Sequence, residues 1–288
     1  MKKLMLLLCL ILLIGCKETI VEPYNLGDDN LGIKSITTKK YNRQNEDKVL
    51  VGHYLEEYNK KGLLINRIEY NLMEEGKIYS KHERVYDDND NILNSQTYTN
   101  GELEWERIFT YKNKKIHKEE SYHNDELVHT TTYEYKKNYR KTTFSDLIND
   151  TKQVNERVYN DDGSYTIEYE RIDSEGLNKG VFEMNSENQM LESSSSDNEN
   201  STESATFEYD DKGNRIKAIS IKSNGEENVS SLEYDEYNNL IRYENSGNTE
   251  WVLEYIYEYD DKGNYISKMD KTFGEISRYE EREINYWD

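Results

Sequence analysis

A repeat of about 25 residues limits what this chain can fold into more than any other feature. With Tyr209 of FEYDDKGN (207–214) as anchor, equivalent positions are Tyr58, Tyr86, Tyr111, Tyr135, Tyr159, Met184, Tyr209, Tyr234 and Tyr259. The intervals are 28, 25, 24, 24, 25, 25, 25 and 25. Such regularity signals stacked units, each burying its apolar face against its neighbours. Two residues before the anchor, Phe109, Tyr133, Phe182, Phe207, Leu232 and Tyr257 are apolar or aromatic; one residue before it stand Glu134, Glu183, Glu208, Glu233 and Glu258. Apolar, polar, Tyr is the alternation of a strand with one buried face. Seven residues after the anchor, Ile65, Leu93, Leu191, Ile216, Ile241 and Ile266 place a second strand beyond a turn.

The turns have their own signature. Asp210-Asp211-Lys212-Gly213-Asn214 carries Asp early and Gly late, which suits a type I turn closed by a left-handed glycine. Asp90-Asn91 replaces Gly-Asn in the second unit, and Asp and Asn tolerate the left-handed region better than most residues. Asn100-Gly101 and Asn224-Gly225 read as tight return turns. The predicted fold is all-β: an elongated, twisted antiparallel meander of about 18 strands, built from about nine hairpin repeats, with a fragment at Arg282–Trp287. Laid flat, 18 strands would extend roughly 86 Å; open sheets beyond about ten strands curl, so a spiralling sheet curled around its Tyr/Ile face is expected. The sixth unit, with Met184 at the anchor and Ser193–Ser196 in its second strand, is expected to be a weak hairpin or looped-out edge.

Residues 1–16 read as a signal peptide. Lys2 and Lys3 precede an apolar run, Leu4–Ile14, too short to span a membrane. Its end, Leu13-Ile14-Gly15-Cys16, resembles a bacterial lipobox, which implies lipid attachment at Cys16 and a membrane anchor through that lipid. Residues 17–33 contain the only proline and read as a flexible tether; residues 34–288 form the repeat domain. Lys17-Glu18 looks like an outer-membrane sorting or surface-export signal. The expected location is the cell envelope, lipid-anchored at the outer membrane.

Composition narrows the partners. Without Lys2 and Lys3 the chain holds 35 basic and 58 acidic residues, a net charge of −23. That excludes phosphate backbones and electrostatic adhesion to anionic lipid. Once Cys9 leaves with the leader and Cys16 is acylated, no disulfide or thiolate site remains. Twenty-six tyrosines set this polar chain apart from disordered ones, because tyrosine offers strand propensity and a large ring with a polar tip.

The units resemble the YD repeats of the RHS family. The shared pattern, Tyr-Asp-x-x-Gly-[Asn/Arg] followed by an aliphatic residue, occurs in Tyr209–Ile216 and Tyr259–Ile266, with degenerate copies from Tyr86 and Tyr234. The resemblance implies a β-sheet scaffold and no particular activity. Large RHS proteins look like shells around a C-terminal toxin; this chain ends just after its last predicted strand, and nine hairpins are expected to be too few to close a shell. It looks more like small lipid-anchored repeat proteins of Gram-negative surfaces.

Chemical motifs are sparse. Asp87–Asn91 opens like a calcium loop but has Ile92 and Tyr98 where glycine and glutamate are required, so no metal site is expected. The histidines (His53, His82, His117, His123, His129) lack ligand spacing and read as surface residues of an exposed sheet. There is no nucleophile elbow or Gly-rich phosphate loop, so no catalytic residue, cofactor or nucleotide is expected, and an elongated sheet offers no deep cleft. Ligand-binding candidates are aromatic: Trp251, Tyr255 and Tyr257 alternate on one strand face, and Trp105 heads a similar stripe. That face is either core or an open surface for a glycan or protein. The sequence therefore points to a non-enzymatic, surface-anchored binding scaffold; the alternatives are an envelope immunity protein that neutralises a toxin and a glycan-acting envelope enzyme.

Overall fold

The computed structural model describes residues 32–44, 47–74, 76–174, 176–197, 201–247 and 251–288. Cys16 and the predicted leader lie outside the described residues, as does most of the predicted tether; its last residue, Ile33, is already in a strand.

Among the described residues, twenty strands run in chain order from β1 (Ile33–Gln44) to β20 (Glu275–Tyr286). Sequential strands pair antiparallel, and β1 also pairs antiparallel with β20, from Ile33↔Tyr286 to Asn42↔Arg278. The sheet closes on itself as a barrel. The expected meander is present, but the open sheet of about 18 strands is not, and the hairpins do suffice to close. Arg282–Tyr286 of the expected fragment end a full 12-residue strand. The sixth unit is regular too: Met190–Asp197 pairs with strands on both sides, and Met184 is buried.

Closure follows from the repeat itself. In a standard hairpin the anchor faces the residue six positions on, as Tyr209 faces Arg215, and the next N–H, on Asp210, donates to Asn214 O at 2.9 Å. At the seam Tyr286 faces Ile33, and Trp287 N–H donates to Gly32 O at 2.9 Å. The register then slips by one residue in both places, between Glu208 and Tyr209 and between Ile33 and Ser35. The seam is thus a tenth repeat unit whose turn is replaced by the two chain ends. Pairing it removes both edge strands and their open backbone donors and acceptors.

The anchor tyrosines bond across units. The hydroxyls of Tyr86, Tyr111, Tyr209 and Tyr234 donate to the carbonyls of Leu64, Ile92, Met190 and Arg215 at 2.8, 2.9, 2.8 and 3.0 Å. Each acceptor is the residue that faces the anchor of the preceding unit. This hydrogen bond needs a phenol of fixed length, which explains why the column holds Tyr rather than Phe. The aliphatic column seven residues after the anchor has a different role. Ile65, Leu93, Leu191, Ile216, Ile241 and Ile266 are the extra residues of β-bulges, each unpaired in the register. The residue facing the anchor, one position earlier, points inward instead, as with Ile92, Ile116 and Tyr165, all buried. A bulge bends and twists its strand locally, which helps a sheet this wide to curl shut.

The two faces differ in chemistry. Phe109, Tyr133, Met184 and Leu232 are buried on the inner face. On the outer face Glu134, Glu183, Glu208, Glu233 and Glu258 are exposed. Cross-strand ion pairs join Lys217 to Glu208 at 2.9 Å, Lys141 to Glu156 at 2.7 Å and Lys179 to Glu170 at 2.8 Å. Val85, Val158 and Ile256 are exposed among these charges, as are Ile65, Leu93 and Leu191 of the bulge column. A charge at the lipid-facing midplane of a barrel costs up to about 2–4 kcal/mol. The charged residues of this outer wall carry that cost wherever they face lipid.

Candidate ligand-binding cavity

Closure creates what an open sheet lacks, a concave interior. One cavity of this interior, about 490 Å³, lies against five consecutive strands: β4 (Ile78–Tyr86), β5 (Ile92–Thr99), β6 (Glu102–Lys112), β7 (Lys115–His123) and β8 (Glu126–Lys136). The register arranges its lining in two rows. One row runs Arg84–Ser95–Arg107–Ser121–His129, each residue directly opposite the next. The other runs His82–Thr97–Trp105. Ile92 and Phe109, both buried, close one end. Large cationic side chains thus alternate with serines. The small residues leave space above themselves, and the arginines, two strands or about 10 Å apart, flank it.

His82 is the best-anchored group. Its Nε2 lies 3.2 Å from Arg84 Nε and 3.1 Å from Ser95 Oγ, and its Nδ1 lies 3.0 Å from Thr97 Oγ1. Arginine can only donate, so Nε2 accepts and Nδ1 carries the proton. Burial first, then the positive charges of Arg84, Arg107 and Arg67, push the imidazole down to about 4. A Ser–His contact of this kind resembles half of a hydrolytic dyad. The imidazole is a poor base, however, because it is neutral and hard to protonate near pH 7 and its one free lone pair already faces Arg84.

The rest of the wall is charged and aromatic. Arg107 Nη1 is 3.9 Å from Glu119 Oε1, yet 51% of the Arg107 side chain remains accessible. Burial pushes the Glu119 carboxyl up, against the opposing charges of Arg107 and His129. Trp105 stacks near His123 at 4.6 Å and lies nearly parallel to His129 at 6.2 Å, and His129 continues to Phe144 at 5.5 Å. His129 Nε2 is 3.6 Å from Asp146 Oδ2.

The four aromatic candidates separate. Trp105 lines the cavity. Trp251, Tyr255 and Tyr257 stand together on a different part of the inner wall, on β18 (Trp251–Tyr259), and are packed there. Trp251 stacks on Tyr243 at 4.8 Å, Lys268 Nζ sits 4.5 Å from the Tyr255 ring centre, and the Tyr257 hydroxyl donates to Leu240 O at 3.1 Å. Burial pushes both phenols, Tyr255 and Tyr257, above their ordinary range. His82 and His129 are not the surface residues expected from sequence; both belong to the inner wall. Arg84, Arg107, Ser95 and Ser121 carried no sequence signal, since only the strand register brings them into one row.

No protein-family model matches the chain, and no curated protein matches it. Among solved structures, a porin-like protein from Bacteroides uniformis is 12% identical, with a TM-score of 0.39 over 89% of this chain and 99% of that one. The TcdB2-TccC3-Cdc42 structure is 11% identical, with a TM-score of 0.28 over 77% of this chain and 15% of that one. TcdB2-TccC3 without its hypervariable C-terminal region is 12% identical, with a TM-score of 0.27 over 82% of this chain and 15% of that one. Likenesses at these scores carry no functional assignment.

Proposed function

We propose that this chain is a non-enzymatic, YD-repeat-like binding protein of the cell envelope, tethered through lipid at Cys16, whose water-exposed barrel takes a glycan in its interior. The observation that carries this reading is the cavity that Trp105 lines together with Arg84, Arg107, Ser95 and Ser121. Its volume of about 490 Å³ falls in the range of small-ligand sites, which favours a saccharide over a folded partner. An aromatic face with a few convergent polar groups suits a sugar ring, which presents both C–H and O–H surfaces. The charged outer wall supports a barrel held at a membrane by a tether rather than within it.

The test is binding of the purified full chain to an oligosaccharide panel by calorimetry. Trp105→Ala is expected to abolish binding with unchanged far-UV CD, whereas Trp251→Phe leaves it intact. Binding unaffected by Trp105→Ala overturns the site. Turnover of any bound glycan overturns the non-enzymatic reading. Palmitate labelling of the wild type and not of Cys16→Ala checks the anchor.

A further inference from the structure

Resting on that reading, we infer that the ligand is an acidic saccharide whose carboxylate seats between Arg84 and Arg107 above Ser95, while its ring lies on Trp105. The protein is strongly acidic overall, with a net charge of −21, so two arginines facing one cavity run against its composition. Cross-strand register places Ser95 directly between them. Ser95 is buried and small, and a bulkier residue there would fill the gap between the guanidinium groups.

The nearby groups leave this charge in place. His82 adds none near neutral pH, and it holds Arg84 through Nε, so the terminal nitrogens of that guanidinium remain for other contacts. Glu119 approaches Arg107 from the Phe109 side, since it pairs with Phe109 in the register, with Oε1 3.9 Å from Nη1, and about half of the Arg107 side chain stays accessible. A planar fork of N–H donors matches a carboxylate better than it matches a neutral hydroxyl. Trp105 stands one row away on the same strand as Arg107, two residues along and on the same face. A ring on the indole thereby brings its carboxylate to the arginines.

The test uses the full chain with three acidic saccharides (oligogalacturonate, oligomannuronate and sialyllactose), each beside its methyl ester, which keeps the ring and removes the charge. At least one acid is expected to bind about tenfold or more tighter than its ester, the scale of a charge-assisted hydrogen bond, and to weaken as salt rises. Arg107→Gln is expected to erase the preference while leaving ester binding, and Arg107→Lys to restore part of it. Equal affinity for acid and ester, both lost in Trp105→Ala, overturns the acidic ligand and leaves the glycan reading standing. Failure of every acid and ester to bind overturns both. Inorganic phosphate binding as tightly as any acid also overturns the inference, by reducing the site to a bare anion pocket. If Arg107→Gln melts early, Arg84→Gln with the same ligands decides, and an acid preference retained there overturns the inference.

Discussion

At the scale of single residues, the phenol and the imidazole show what side-chain geometry adds to hydrophobicity. Tyr209 fills the same inner-wall column as an apolar residue would, but its hydroxyl also reaches Met190 O in the preceding unit at 2.8 Å. Tyr209→Phe keeps the ring and leaves that carbonyl without the phenol. We expect a loss of about 1 kcal/mol in urea unfolding, with an unchanged slope. His82 is held neutral in the fold, down to about 4, against an unfolded value of about 6.5. The unfolded chain therefore binds the extra proton first as pH falls. Stability contributed by neutral His82 is present above about pH 6.5 and is lost progressively toward pH 4. Discounted for partial exposure, the effect is about 1–2 kcal/mol. His82→Gln is expected to flatten the unfolding free energy over that window, as measured by denaturation at pH 7 and pH 4.5. An equally steep profile in the variant would exclude this role for His82.

At the scale of the element, the hairpin turn explains the motif that repeats most visibly. Asp210 Oδ1 accepts from the backbone N–H of Lys212 and Asn214, and Oδ2 accepts from the Asn214 amide. Asp87 serves Asn89 and Asn91 in the same way, and the Asn91 side chain above all holds its carboxyl below the ordinary range. The acidic residues are turn parts. The fourth residue after the anchor has positive φ: 84° at Gly213, 66° at Asp90, 63° at Asn188 and 65° at Asn238. Gly213→Ala should cost about 1 kcal/mol, and Gly213→Asn clearly less, as thermal melts of the two variants would show. Equal melting points would mean that the backbone conformation is not what selects the residue. The two 24-residue intervals have a local cause as well. After Tyr111 and Tyr135 the turns shorten, pairing Lys112 with Lys115 and Lys136 with Tyr139. Asn113 and Lys114 both take positive φ, as does Asn138.

At the scale of the whole molecule, the seam between β1 and β20 decides the architecture. Because Tyr286 and Ile33 stand as Tyr209 and Arg215 do, the gap between them is the space of one five-residue turn. A circular permutant that joins Tyr286 to Ile33 through Asp-Asp-Lys-Gly-Asn, with new ends at Asn224 and Gly225, is expected to fold to the same far-UV CD spectrum and elute as the parent does. Removing residues 275–288 instead exposes two long edge strands. That variant is expected to aggregate or lose cooperative unfolding in size-exclusion and melting experiments. A monomeric, cooperatively folding truncation would show that the seam contributes little.

The repeat, the hairpins, the turn chemistry and the two faces of the anchor strands were legible in the sequence. These are local matters: a period of two along a strand and positive φ at a turn are written in neighbouring residues. The sequence also picked out Trp105, as an aromatic on the inner-facing stripe. The aliphatic column seven residues after the anchor, expected in the core, is a column of bulge residues instead. Closure, and with it the cavity, rests on long-range strand pairing. The pairing of β1 with β20 joins residues some 250 positions apart, and the last unit is divided between the two ends of the chain, where no 25-residue window can contain it. The row Arg84–Ser95–Arg107–Ser121–His129 was hidden for a related reason. Its members are neighbours across the strands, and bulges and turns of differing length shift each strand's register. Only the folded sheet brings these residues, unremarkable in sequence, to face one space.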